Sequence, residues 1–160
     1  MKVLDGVVYD CHVSKFANLC QLQSGTSGDQ TEISELRPPL QDPPGMAEKA
    51  LKIFVDAKKG RLTLLITSLT MAEVVWVLES YYGHSKKQIS ETLTQFLLCD
   101  GLEVESLDLL LGALNLYQEK NIDFADAVLA SQALRKGPAS LYSFDHHFNR
   151  ITGIKVLEAV

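Results

Sequence analysis

Carboxylates standing where apolar residues would otherwise pack are the chemistry-bearing feature of this 160-residue chain. Asp5 or Asp10 closes the first apolar run, Glu73 interrupts MAEVVWVL, Asp126 lies within IDFADAVLA, and Asp145 ends LYSFD. A carboxylate in an apolar setting costs stability unless it is paired, hydrogen-bonded or bound to a metal. One shared divalent-cation site accounts for all four positions. Like charges a few ångströms apart stay ionised only when a cation neutralises them, and oxygen donors suit hard ions such as Mg²⁺ or Mn²⁺. Blander roles compete at single positions. Asp123 and Asp126 stand where acids favour a helix N-terminus, and capping is the favoured role for Asp123. Asp145 can open a turn after a strand. Glu73, between Met71, Ala72, Val74, Val75 and Trp76, is expected to see little solvent and to belong to a site, with Trp76 in the core.

Positioning such acids requires strands and helices in a fixed order. Val7 to Tyr9 reads as a short strand, and Val13, Phe16, Ala17 and Cys20 recur at helical spacing. From Gln21 to Gly45 periodicity gives way to Gly, Ser, Gln and Pro, which predicts a flexible insertion over 21–45. Met46, Ala50, Phe54 and Ala57 mark a helix ending near Gly60, and Leu62 to Thr67 is a strand. Ser68 is the predicted N-cap of a helix reaching Tyr82 and Gly83, and Ser85 with Gln88 spells a capping box for the next helix, which Gly101 stops. Leu102 to Glu105 is a weak strand. Leu107, Leu110, Leu111, Leu114 and Tyr117 define a helix that ends at Asn121. Asp123 caps FADAVLASQALRK, Leu141 to Phe144 forms a strand ending at Asp145, and Ile154 to Leu157 is the last strand. Strands separated by helices predict an α/β layer fold with a mainly parallel sheet, whose ligand crevice lies beyond the carboxyl ends of the strands.

Composition bounds the partners. A chain that is 46% hydrophobic over 160 residues can bury a real core within a single domain spanning 1–160. A net charge of −5 and a pI near 5.3 exclude nucleic-acid coating by bulk electrostatics, while leaving local recognition open. No apolar run reaches the roughly 18 to 20 residues of a membrane span, and MKVLDG does not read as a secretory leader, so an intracellular, cytoplasmic protein is expected. Cys11, Cys20 and Cys99 form no CxxC pair and indicate neither a zinc knuckle nor a disulfide framework. His146 and His147 follow Asp145 in an Asp-His-His string, but the 13 residues after His147 are too few for the rest of a DHH phosphoesterase; both are read as turn-exposed, and His12 and His84 have no metal-spaced partners. Small basic groups at Lys58, Lys59 and Arg61, at Lys86 and Lys87, and at Arg135, Lys136 and Arg150 are candidate contacts to an RNA backbone, with Arg150 foremost.

From Met46 onward the sequence resembles PIN-domain proteins of the VapC toxin type. The resemblance runs through TSLTMAEVVWVLESYYG, ISETLTQFLLCDGLEVE, ALNLYQEKNIDFADAVLA and LYSFDHHF in order, and the combination is far more specific than any one block. It places Glu73, Asp126 and Asp145 in the family's metal-binding and catalytic set. The family's first acid follows its first strand, usually with Asn or Ser two places on. Asp5 has the right upstream context but is followed by GVV, whereas Asp10 precedes an amphipathic helix but has His12 at the partner position. Both stay open.

The resemblance implies a three-layer α/β/α fold and a Mg²⁺- or Mn²⁺-dependent endoribonuclease, the toxin of a toxin–antitoxin pair and a homodimer. In that reading Asp126 and Asp5 or Asp10 ligate the metal, Glu73 and Asp145 position water or a second ion, Ser143 adds a hydrogen bond, and Asp123 is secondary. The target would be structured or single-stranded RNA, cut in an exposed loop whose bases and backbone can enter the acidic crevice. A PIN-like RNA- or protein-binding regulator that has lost catalysis is the alternative.

Overall fold

A computed structural model describes residues 46–158. The expected strand at Val7 to Tyr9, the helix at Val13 to Cys20, the insertion over 21–45 and both candidate first acids, Asp5 and Asp10, lie outside the described residues. The element order is α1 (Met46–Lys58), β1 (Leu64–Ile66), α2 (Ser68–Ser80), α3 (Lys86–Leu97), β2 (Leu102–Val104), α4 (Leu107–Lys120), α5 (Phe124–Leu134), β3 (Ala139–Tyr142), a 3₁₀ turn (His146–Arg150) and β4 (Ile154–Leu157). β1 pairs with β2 in parallel, Leu64 opposite Leu102, and β3 pairs with β4 in parallel, Ala139 opposite Ile154. The α/β class with parallel strands is as expected. Among the described residues the strands form two separate pairs.

Local chemistry sets most boundaries. Ser85 accepts from the Gln88 backbone N–H while the Gln88 side chain accepts from the Ser85 N–H, closing the predicted capping box of α3. Asn121 takes a left-handed conformation with φ of 50° and ends α4, and Asp123 caps α5 by accepting from the Ala125 N–H at 2.8 Å. Boundaries differ from expectation by a residue or two at several ends, those of α2, β1 and β3 among them. The cap of α2 is Thr67, whose hydroxyl accepts from the Thr70 N–H at 3.2 Å, and Ser68 is already helical. β1 is shorter than Leu62 to Thr67. β3 begins two residues before Leu141 and ends at Tyr142, which leaves Phe144 outside the strand and 83% exposed. An apolar run fixes that a strand is present, but the register with Ile154 to Leu157 fixes where it starts.

The core is built on α4 and α5. Leu110, Ala113, Leu114 and Tyr117 of α4 meet Ala127 and Ala130 of α5, with Met71, Val74, Val75 and Leu78 of α2 and Ile89, Leu93, Phe96 and Leu97 of α3 around them. The two central helices approach closely because Gly112 faces Ser131: a Cβ on Gly112 would lie 2.7 Å from Ser131 Oγ. The Ser131 hydroxyl donates to the Leu109 carbonyl at 2.9 Å and Ser90 donates to the Leu114 carbonyl, so both buried hydroxyls are satisfied. Trp76, expected in the core, is 67% exposed and shares an outward stripe of α2 with Leu69. Among the described residues no helix is long and apolar enough to cross a membrane.

Candidate metal centre

Two turns carry the cluster. Asp126 lies in the first turn of α5, on the helix that Asp123 caps. Asp145 leaves β3 and caps the 3₁₀ turn, accepting from the His147 N–H at 2.8 Å, while its own N–H donates to Ser143 Oγ at 3.0 Å. Phe148 is buried and Ile151 is buried, which fastens the short turn to the core. In this way the end of a strand and the start of a helix bring Asp126, Asp145 and His147 together, each offering a ligand atom within 4.8 Å of the others. The contact between His147 Nδ1 and Asp145 Oδ1 is 3.1 Å.

Electrostatics match a cation site. Burial raises the Asp126 pKa above the ordinary carboxylate value, and the nearby charges of Asp145 and Asp123 raise it further, while His147 acts in the opposite direction. Repulsion between Asp126 and Asp145 is what a divalent ion would relieve. The donor set, two carboxylates with an imidazole beside them, is one such ions accept.

The remaining sequence candidates fall as follows. Ser143 acts on Asp145 through the backbone bond just described. Asp123 is occupied by its cap and also bears on Asp126 electrostatically. Arg150 is exposed at the end of the 3₁₀ turn. Glu73 is exposed, contrary to the expectation from its apolar neighbours, and is not a member of the cluster. Sequence adjacency misled there: one helical turn away in either direction stand Leu69 and Trp76, both turned to the outside, so Glu73 lies on the outward stripe. Among the basic groups, Arg61 is paired with Asp56 at 2.7 Å, and the half-buried Lys86 has its ammonium engaged by the Ile122 carbonyl. His147 is exposed, as expected of a turn histidine, and is also the one member of the cluster that the sequence does not single out as a site residue.

Against this geometry, the family model of the PIN domain matches residues 40–154. The chain belongs to the PIN-domain family. PIN domains are generally metal-dependent nucleases that act on RNA, and they typically bind divalent metals. No curated protein and no solved structure is similar enough to the chain to count as a match.

Proposed function

We propose that this PIN-domain protein is an endoribonuclease that hydrolyses RNA phosphodiester bonds with Mg²⁺ or Mn²⁺, and that it is the toxin of a type II toxin–antitoxin pair of the VapC kind. The observation that carries the reading is the convergence of Asp126 and Asp145, from separate elements, on one small volume in a chain of this family. Asp126 and Asp145, with Asp5 or Asp10, would hold the ion, which when bound would supply charge neutralisation at the scissile phosphate and a water of lowered pKa. Asp145 is aimed by Ser143 and by the turn it caps, Asp123 fixes the start of the helix that bears Asp126, and Glu73 positions water from α2. Arg150 steadies the RNA backbone. A homodimer in a cytoplasmic setting, inhibited by a cognate antitoxin, completes the reading, with residues 1–160 forming one domain.

Cleavage of labelled single-stranded and hairpin RNA by the purified chain, with Mg²⁺, Mn²⁺ or EDTA, tests it. Metal-dependent cleavage lost in Asp126→Asn and Asp145→Asn is the expected result, and Asp5→Asn beside Asp10→Asn identifies the first acid. Absence of cleavage while metal still binds would instead favour the regulator that has lost catalysis, a reading to which the exposed position of Glu73 outside the cluster lends weight.

A further inference from the structure

Two carboxylates and an imidazole make a different site from carboxylates alone. We propose that His147 is a nitrogen ligand of the ion held by Asp126 and Asp145, and that it makes the site select Mn²⁺ over Mg²⁺. This inference rests on the metal-dependent reading above and names the selectivity of that same site.

The placement of the ring carries it. His147 Nδ1 is 3.1 Å from Asp145 Oδ1, a contact that is an ion pair when the ring is protonated and that, with the ring neutral, leaves a nitrogen lone pair and a carboxylate oxygen facing one small volume. The ring arrives there because its own backbone N–H is held by the same carboxylate oxygen at 2.8 Å. The cap that starts the 3₁₀ turn therefore also aims the side chain, and buried Phe148 keeps the turn from rotating away. Asp126, from α5, closes the third side within the same 4.8 Å. His146, one residue earlier and exposed like His147, is not part of the cluster, so position in the turn and not histidine content or exposure makes the difference.

Ligand chemistry then sets the choice of ion. Mg²⁺ takes oxygen donors and gives up its waters reluctantly, whereas Mn²⁺, which also favours oxygen and is the weakest nitrogen binder of the first-row divalent series, still accepts an imidazole nitrogen more readily than Mg²⁺ does. A nitrogen at this position adds affinity for Mn²⁺ and little for Mg²⁺.

The test is Mn²⁺ added to the purified full chain, with the bound ion read by pulsed electron paramagnetic resonance for ¹⁴N coupling, beside His147→Ala, His147→Asp and His146→Ala. Dissociation constants for Mn²⁺ and Mg²⁺ are measured by calorimetry on the same samples. Nitrogen coupling is expected in the unmodified chain and in His146→Ala, and its loss in His147→Ala, where Mn²⁺ affinity falls about tenfold and Mg²⁺ affinity by no more than about threefold. His147→Asp, which restores an oxygen donor, is expected to shift preference toward Mg²⁺. Mn²⁺ bound without nitrogen coupling, or with coupling that survives in His147→Ala, would overturn the role of His147 and leave the Asp126 and Asp145 site standing. No Mn²⁺ binding at all would overturn both.

Discussion

The Tyr117 hydroxyl donates to Glu79 Oε2 at 2.9 Å and thereby ties the middle of the helical core to the outer end of α2. Lys86 completes the knot: its ammonium sits 4.5 Å from the centre of the Tyr117 ring, 3.9 Å from Glu79, and donates to the carbonyl of Ile122. Ile122 immediately precedes the capped start of α5, and Phe124 packs edge-on against Tyr117 with ring centroids 5.8 Å apart. A buried tyrosine, a carboxylate and a lysine from three helices thus locate the turn from which Asp126 is presented.

Tyr117→Phe is expected to cost about 0.5–1.5 kcal/mol, the net worth of one hydrogen bond, in urea unfolding at neutral pH. Burial first, and then the bond to Glu79, raises the Tyr117 pKa above the ordinary phenol range. A raised acid leaves the folded state holding a proton that the unfolded state releases. The Tyr117 contribution is therefore complete below about pH 10, the ordinary tyrosine pKa, and is lost as pH rises beyond it. The unmodified chain should lose stability steeply above about pH 10, and Tyr117→Phe should lose less.

Gly101 separates two kinds of glycine cost. Its φ is 87°, and a Cβ there would lie 2.5 Å from the backbone carbon and oxygen of Ala57, which no side-chain rotation can relieve. Gly60 and Gly83 have φ of 69° and 70° with nothing within 4 Å. Gly60→Ala and Gly83→Ala should each cost about 1–2 kcal/mol, the left-handed penalty alone, while Gly101→Ala costs more because α1 must also move. Thermal unfolding of the three variants in parallel checks the order.

Legibility of the sequence followed how local each determinant is. The capping box at Ser85 and Gln88, the left-handed stop at Asn121 and the cap at Asp123 are each complete within four residues, and all three lie where the sequence put them. The start of β3 depends on pairing with Ile154, and the outward turn of Glu73 and Trp76 depends on which face of α2 meets the core, so neither follows from neighbours in sequence. The site divides the same way. Asp126 and Asp145 stood out as acids in apolar stretches, whereas the His147 contact needs a 3₁₀ turn that SFDHHF does not announce.

Glu73 offers a way to divide the labour among the acids. Because it is exposed and outside the cluster, Glu73→Gln should leave Mn²⁺ affinity within about twofold, whereas removing a ligand should cost roughly tenfold or more. Under the proposed nuclease reading the same Glu73→Gln variant loses RNA cleavage. Calorimetric metal titration beside a cleavage assay on one preparation makes the comparison, and a tenfold fall in Mn²⁺ affinity for Glu73→Gln would make it a ligand instead.

Asp126→Asn should act in opposite directions on the metal-free and the metal-loaded protein. With its pKa raised by burial and by Asp145 and Asp123, the Asp126 carboxylate binds protons more readily folded than unfolded, so its ionisation erodes stability as pH rises through the carboxylate range. At neutral pH in EDTA, Asp126→Asn removes that repulsion and should leave the protein as stable as before or more so, by no more than about 1 kcal/mol for a partly exposed group. With saturating Mn²⁺ the order reverses. An ion that binds only the folded state adds about 2.7 kcal/mol at a hundredfold excess over its dissociation constant, and the Asn variant, lacking a ligand, should gain far less. Melting temperatures in EDTA and in Mn²⁺ at pH 7 provide the check. A marked loss of stability in EDTA would identify Asp126 as a structural acid, and an equal Mn²⁺ gain in both proteins would place the ion elsewhere.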